Sequence, residues 1–183
     1  GNVVAYEGHP SGTTDFKAQL TKILAGKPEV IYCSDYYNDD ALIAKQAREL
    51  GYKGPIVGGD GWDSADLVKI GGDAVNNCFF TNHYAPDATT AAVKTFVGGY
   101  NAKYSSTPDA LAALAYDAGN IMLNAIAKAN STDGAKIKDA LAATDLDVVS
   151  GHVKFDENRN PIKSAVIIEI KDGKQVYRTT VNP

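Results

Sequence analysis

The stretch Val57-Gly58-Gly59-Asp60-Gly61-Trp62-Asp63-Ser64 decides how this chain is read. It follows a short apolar run, Gly54-Pro55-Ile56-Val57, and leads into a helix-like segment, Ser64-Ala65-Asp66-Leu67-Val68-Lys69-Ile70. An acid and a large aromatic therefore occupy a loop between a strand and a helix. In open α/β sheets, ligands bind at the carboxyl ends of the strands, where such loops stand. Glycines let the backbone approach a guest, Asp60 offers a negative charge, and Trp62 offers a flat apolar wall. The same residues also suit an ordinary turn whose acids cap the helix that follows.

The arrangement recurs upstream. The strand-like run Glu29-Val30-Ile31-Tyr32-Cys33 enters Ser34-Asp35-Tyr36-Tyr37-Asn38-Asp39-Asp40 and then a helix. Two such loops predict a pocket for a small cationic or zwitterionic molecule. Of the neighbouring pair Tyr36 and Tyr37, one is expected to face the site and the other to pack inward.

Outward from these loops, the first 83 residues alternate strand and helix. Val3 to Glu7 reads as a strand, and Asp15 to Ala25 as a helix with Phe16, Leu20, Ile23 and Leu24 on one face and Thr13 or Thr14 as its cap. Strand 29–33 follows, then a helix from Asp39 to Leu50 striped by Leu42, Ile43, Ala47 and Leu50 and closed by Gly51. Strand 55–58, a short helix 64–70 and strand 78–82 complete the series. This βαβαβαβ order predicts an α/β fold, with a four-stranded parallel sheet, doubly wound in the flavodoxin-like or Rossmann-like manner.

From Pro86 the pattern changes to helices at 89–104, 109–129 and 133–142. In the second, Leu111, Leu114, Ala118, Ile121, Met122, Ala125 and Ile126 are expected to face the core, with Tyr116 packed inside and Asp117 in solvent. The tail is β. Ser150 to Phe155 reads as a strand and 156–161 as a turn. Ser164 to Ile170 and Gln175 to Val181 read as a hairpin, because Asp172-Gly173 suits a tight turn of positive φ.

Bulk composition excludes several function classes. The 183 residues carry a net charge of −4 without a basic run, which speaks against nucleic acid as a partner. No apolar run approaches the roughly 20 residues of a membrane span. Cys33 and Cys78 fall at opposite ends of their strands and are expected as free thiols. His9, His83 and His152 lie far apart with no cysteine at ligand spacing, so neither a metal site nor another cofactor is expected. Asp156-x-Asn158-x-Asn160 lacks the glycine of a calcium loop, and Gly8-His9-Pro10-Ser11-Gly12 has the wrong spacing for a nucleophile elbow. Without a nucleophile–base pair, the chain reads as a binding module and not an enzyme.

Three segments together resemble a known family: 41–51 (Ala-Leu-Ile-Ala-Lys-Gln-Ala-Arg-Glu-Leu-Gly), Gly58-Gly59-Asp60-Gly61-Trp62, and Phe155-Asp156-Glu157-Asn158 through Pro161-Ile162-Lys163. The chain is similar to the branched-chain-amino-acid-type (Leu/Ile/Val-binding) substrate-binding proteins of ABC importers, which are two-lobed periplasmic-binding-protein-like proteins of class I. Members of that family are about twice this length, and the chain resembles their C-terminal half. The resemblance implies a second-lobe α/β core at 1–83 lacking its first strand and helix, a helical and strand portion of the first lobe at 84–163, and a hairpin at 164–183 returning to the second lobe.

In the family the second lobe holds the ligand's ammonium with an acid and a tyrosine, which fall on Asp60 and Tyr36; Trp62 adds contact area. Many relatives carry Glu where Asp60 stands. The resemblance further implies an extracytoplasmic location, by a signal or lipoprotein anchor outside this sequence, and the importer's membrane subunits as partners. Self-association is expected of a chain whose residues 84–163 leave an apolar surface uncovered. An extracellular sensory domain shares the fold and is the alternative function; an α/β enzyme using Asp60 as a base is the more distant one.

Overall fold

The computed structural model describes residues 1–183. The chain divides into two compact units, residues 1–81 with 167–178, and residues 82–166 with 179–183.

The first unit runs α1 (Lys17–Ala25), β1 (Ile31–Cys33), α2 (Tyr37–Glu49), β2 (Ile56–Gly58), α3 (Ala65–Gly71) and β3 (Cys78–Asn82). β1 pairs with β2 and β2 with β3, both parallel, with Ile31 opposite Ile56 and Ile56 opposite Cys78. This is the parallel sheet that the alternating pattern predicts. Its core is Phe16, Leu20, Ile31, Ile56, Leu67, Val75 and Phe80, supplied by the inward positions of each element. Cys33 and Cys78 are buried and unbonded, and the register sets Cys78 level with Ile31 and two residues short of Cys33.

Arg48 pins the loops that feed the sheet. From the last turn of α2 its guanidinium donates to the carbonyls of Tyr52 (3.1 Å), Gly54 (2.6 Å) and Ala74 (3.2 Å). The planar fork with its five donors suits this task, since three separate backbone acceptors have to be met at once.

Val3 to Glu7 is not a strand. Val3, Val4 and Tyr6 stand in solvent, Val3 84% and Tyr6 91% exposed, and neither parallel ladder includes the segment. A strand forms only when a neighbour supplies the hydrogen-bonding partner, and the local pattern cannot supply one. Glu7 instead pairs with Lys22 of α1 at 3.1 Å. The sheet therefore has three parallel strands, not four. α1 begins at Lys17, where the Asp15 carboxylate accepts from the Lys17 N–H; neither Thr13 nor Thr14 caps it. On α2 the buried face is Asp40, Ala41, Ile43, Ala44 and Ala47, while Leu50 is 40% exposed.

In the second unit, α4 (Ala91–Tyr104), α5 (Ala110–Ala129) and α6 (Gly134–Ala142) start at side-chain caps: Thr90, Asp109 and Asp133 accept from backbone N–H groups of the first turns. Tyr84, Val93, Phe96, Ala110, Ala113 and Val149 form its core. β4 (Asp145–Val148), β5 (Gly151–Phe155) and β6 (Pro161–Ile162) make a small antiparallel sheet. β4 carries a polar–apolar alternation, Asp145-Leu146-Asp147-Val148, that matches its alternating burial, but at four residues the signal is short.

On α5 the expected roles of two neighbours are exchanged. Asp117 is buried and accepts from the Val149 and Ser150 backbone N–H groups at 2.8 Å each, whereas Tyr116 is half exposed. Leu111 and Met122, expected inward, are exposed as well. α5 is also long and apolar enough to cross a membrane by length and composition alone, although polar residues interrupt it. Its buried Asp117 is bound to a turn of the same unit, which marks a packed helix of that unit.

The terminal hairpin joins β7 (Ala165–Lys171) to β8 (Lys174–Val181) through Asp172 and Gly173, both at positive φ (51° and 70°), the tight turn that the Asp-Gly pair predicts. β7 lies beside β3, so the larger sheet runs β1-β2-β3-β7-β8.

Candidate functional site

The loops after β1 and β2 meet. Tyr36 caps α2 with its backbone, its carbonyl accepting from the Asp39 and Asp40 N–H groups at 3.0 Å. After β2, Asp60–Trp62 forms one 3₁₀ turn, closed by Trp62 N–H to the Gly59 carbonyl at 3.2 Å. Gly61 is where the loops touch. A Cβ there would lie 2.8 Å from the Asp35 carbonyl oxygen and 3.2 Å from Tyr36 Cδ1. Only glycine permits this approach. It sets the Asp60 turn against the Tyr36 backbone, with the Tyr36 ring 72% exposed and Asp60 exposed as well. An acid and a phenol thus share one accessible surface at the carboxyl ends of adjacent parallel strands.

Trp62 is not part of that surface. Its side chain is fully buried, 6.3 Å from the Phe80 ring and stacked so closely over Gly58 that a Cβ there would meet the indole Nε1. A single large aromatic beside a Cβ-less residue fills the space under the loop, which outweighs any use of it as an exposed wall. The expected ligand wall is corrected to a buried anchor for the turn that carries Asp60.

The structure adds a residue that sequence spacing could not connect. His9 Nε2 lies 3.1 Å from Asp35 Oδ2 and its Nδ1 lies 3.1 Å from the Pro10 carbonyl oxygen. Both partners are acceptors, so only the protonated ring satisfies both. The Asp35 hydrogen bond, followed by the Pro10 carbonyl, raises the His9 pKa above its ordinary value. Phe16 packs its ring edge-on at 4.9 Å. His9 and Asp35 stand 26 positions apart, and nothing local announces the pair.

Asp40 completes the surroundings. It is fully buried in the first turn of α2, and burial, then repulsion from Asp35 and Asp39, pushes its carboxyl up to about 8. Around the loop pair, Asp35, Asp39 and Asp60 supply acceptors and His9 an internal counter-charge. Such a surface can hold a cation through its ammonium hydrogens; it contains no activated nucleophile. In the second unit, a cleft of about 600 Å³ lies among Phe96, Tyr116, Asn120 and Leu146. It is an open trough between helices and β4, with Asp117 and Asp147 on its wall and no cationic group among its lining residues.

A family model described as periplasmic binding protein matches residues 1–175. A Leu/Ile/Val-binding protein homolog of Brucella melitensis is 30% identical over 96% of the chain and 47% of its own length. Among solved structures, a leucine-binding protein of Thermotoga maritima superposes with a TM-score of 0.90 at 42% identity, over 96% of this chain and 51% of that one. The substrate-binding protein of a branched-chain amino acid transporter of Streptococcus pneumoniae, solved with isoleucine, superposes with a TM-score of 0.83 at 36% identity, over 94% and 50%. The chain spans about half the length of the relatives it matches.

Proposed function

The chain belongs to the periplasmic binding protein family, and from that premise we propose that it serves an extracytoplasmic receptor that captures a branched-chain or closely related amino acid for an ABC importer. The observation that supports this most is the contact of the Tyr36 and Asp60 loops through Gly61 at the ends of β1 and β2. A ligand ammonium sequestered from water needs acceptors and a counter-charge. Asp60 offers the carboxylate, and Tyr36 a hydroxyl that accepts beside it. Asp is one methylene shorter than Glu, so the guest sits close to the loop backbone, where Gly59 leaves room for it.

Capture of this kind is binding without chemistry, in keeping with a family of binding proteins. The importer's membrane subunits are the partner this reading implies. The relatives named for leucine, isoleucine and valine motivate the ligand class. Calorimetric titration of the intact gene product with leucine, isoleucine, valine and a panel of other amino acids tests it. Saturable heat with an aliphatic amino acid supports the proposal; no heat with any amino acid sinks it.

A further inference from the structure

Three polar atoms without a hydrogen-bond partner cluster beneath the Asp60 turn: both carboxylate oxygens of Asp40 and the indole Nε1 of Trp62. Both side chains are 0% exposed. A buried polar group with no partner is costly, and three together call for one explanation. Asp40 projects from the first turn of α2, and Trp62 closes the 3₁₀ turn on which Asp60 stands. The indole N–H is near enough to the carboxyl to favour its charged form, yet none of the three atoms has a completed hydrogen bond.

The groups facing Asp40 come from every element around it. Asp35 precedes α2, Asp39 adjoins it on α2, His9 comes from the N-terminal segment, Cys33 from β1 and Trp62 from the β2 loop. A charge on Asp40 is opposed by burial, by Asp35 and by Asp39; the Trp62 N–H and His9 oppose that trend and do not overcome it. Near pH 7 the neutral carboxyl is the favoured form. Its carbonyl oxygen is then an uncharged acceptor beside the one buried donor that lacks one.

We propose that Asp40 is a positioning residue whose neutral carboxyl takes the Trp62 indole N–H and so sets the turn that presents Asp60. The inference rests on reading Asp60 as the acid of the ligand site. It adds a dependence that reading does not contain: ionisation of Asp40 makes its carboxyl a stronger acceptor for the Trp62 N–H, which draws the indole toward it and moves the turn, so the presentation of Asp60 changes as the pH is raised.

Nuclear magnetic resonance on the full 183-residue chain tests this without any ligand. The sequence has one tryptophan, so one indole N–H signal reports the contact. Over about pH 6 to pH 10, the indole signal and the Asp60 and Gly61 backbone amides should shift together, with a midpoint near 8. In Asp40→Asn, neutral at every pH, these shifts should vanish while the His9 titration remains. In Trp62→Phe, which removes the donor, the Asp40 carboxyl carbon should titrate at higher pH than in the parent, and this arm stands if the Asn variant does not fold. An indole that does not titrate, a titration that survives in Asp40→Asn, Asp60 and Gly61 amides that stay still while the indole moves, or an Asp40 midpoint unchanged in Trp62→Phe each overturns the proposal. Because no amino acid is present, these results are independent of whether Asp60 holds an ammonium.

Discussion

Asp117 Oδ1 accepts a hydrogen bond from the Val149 backbone N–H at 2.8 Å, and its second oxygen takes the Ser150 N–H at the same distance. One buried carboxylate on α5 thereby satisfies two consecutive donors in the turn between β4 and β5. Hydrogen bonds to a charged group contribute about 1.5–3 kcal/mol, and a buried donor left unmet costs a similar amount. Asp117→Asn keeps the shape but offers one acceptor for two donors. It should destabilise the chain by about 1.5–3 kcal/mol, and Asp117→Ala by more. Urea denaturation decides: a loss below about 0.5 kcal/mol for both variants would show that the turn does not need the carboxylate.

The alternation that predicts the parallel sheet was legible because it is local: β1, β2 and β3 each carry an apolar run beside a periodic helix. The Asp172-Gly173 hairpin was legible for the same reason, since its turn chemistry lies in two adjacent residues. Asp117 was not, because helical periodicity reads an acid as solvent-facing and cannot see the turn 32 residues away. A loop position suggests exposure, and on that ground alone Trp62 looks like an exposed wall. Gly58 below it, whose missing Cβ admits the indole, was the available signal. The 3–7 segment failed the other way: a good strand pattern has no neighbour to pair with.

The ligand site makes a quantitative prediction. If Asp60 meets a ligand ammonium, Asp60→Asn removes the charge and keeps the shape. Truncating one partner of a buried charge pair costs about 2–5 kcal/mol, so affinity should fall by well over tenfold. Tyr36→Phe deletes one hydroxyl and should cost about 0.5–1.5 kcal/mol. Calorimetry on the intact gene product gives the order, and unchanged affinity in Asp60→Asn for every amino acid bound refutes the ammonium assignment.

Trp62 should behave as a stability residue. Removing a fully buried indole leaves a cavity, and Trp62→Ala should destabilise the first unit by about 3–5 kcal/mol. Trp62→Phe should cost less, since it retains the packing against Phe80. Thermal unfolding of both variants measures this. If Trp62→Ala leaves the melting temperature unchanged but abolishes amino acid binding, the buried-anchor role is wrong.

His9 carries a pH dependence whose sign follows from its partners. Its pKa is raised in the folded chain by the Asp35 hydrogen bond and then by the Pro10 carbonyl. A raised pKa means that the native state holds the proton more tightly than the unfolded chain, where histidine titrates near about 6.5. The stabilisation is complete below that value and is lost as the pH rises through the higher, folded value. Asp35→Asn removes the largest cause and should bring the His9 titration back toward its ordinary position. The ring-proton signals of the three histidines resolve this, and a His9 that titrates at or below about 6.5 in the parent chain contradicts it.

The outer face of α5 predicts self-association. Leu111 is 74% exposed, Met122 43% and Leu123 67%, on a helix whose apolar character rivals a membrane span. Leu111 and Met122 are eleven residues apart, about three helical turns, and so lie on one stripe. Between them that stripe holds Ala115, Ala118 and Gly119, all exposed and all small, so another apolar surface can approach the backbone closely. Burying each large side chain is worth about 1.5–3 kcal/mol, enough across two or three of them to favour association at high concentration. Light scattering should therefore show dimers or larger species as the concentration rises. The pair Leu111→Lys and Met122→Lys, placed where solvent already reaches, should restore the monomer without lowering the melting temperature. A parent chain that remains monomeric at about millimolar concentration, or a double variant that associates as strongly as the parent, shows that this stripe is not the contact.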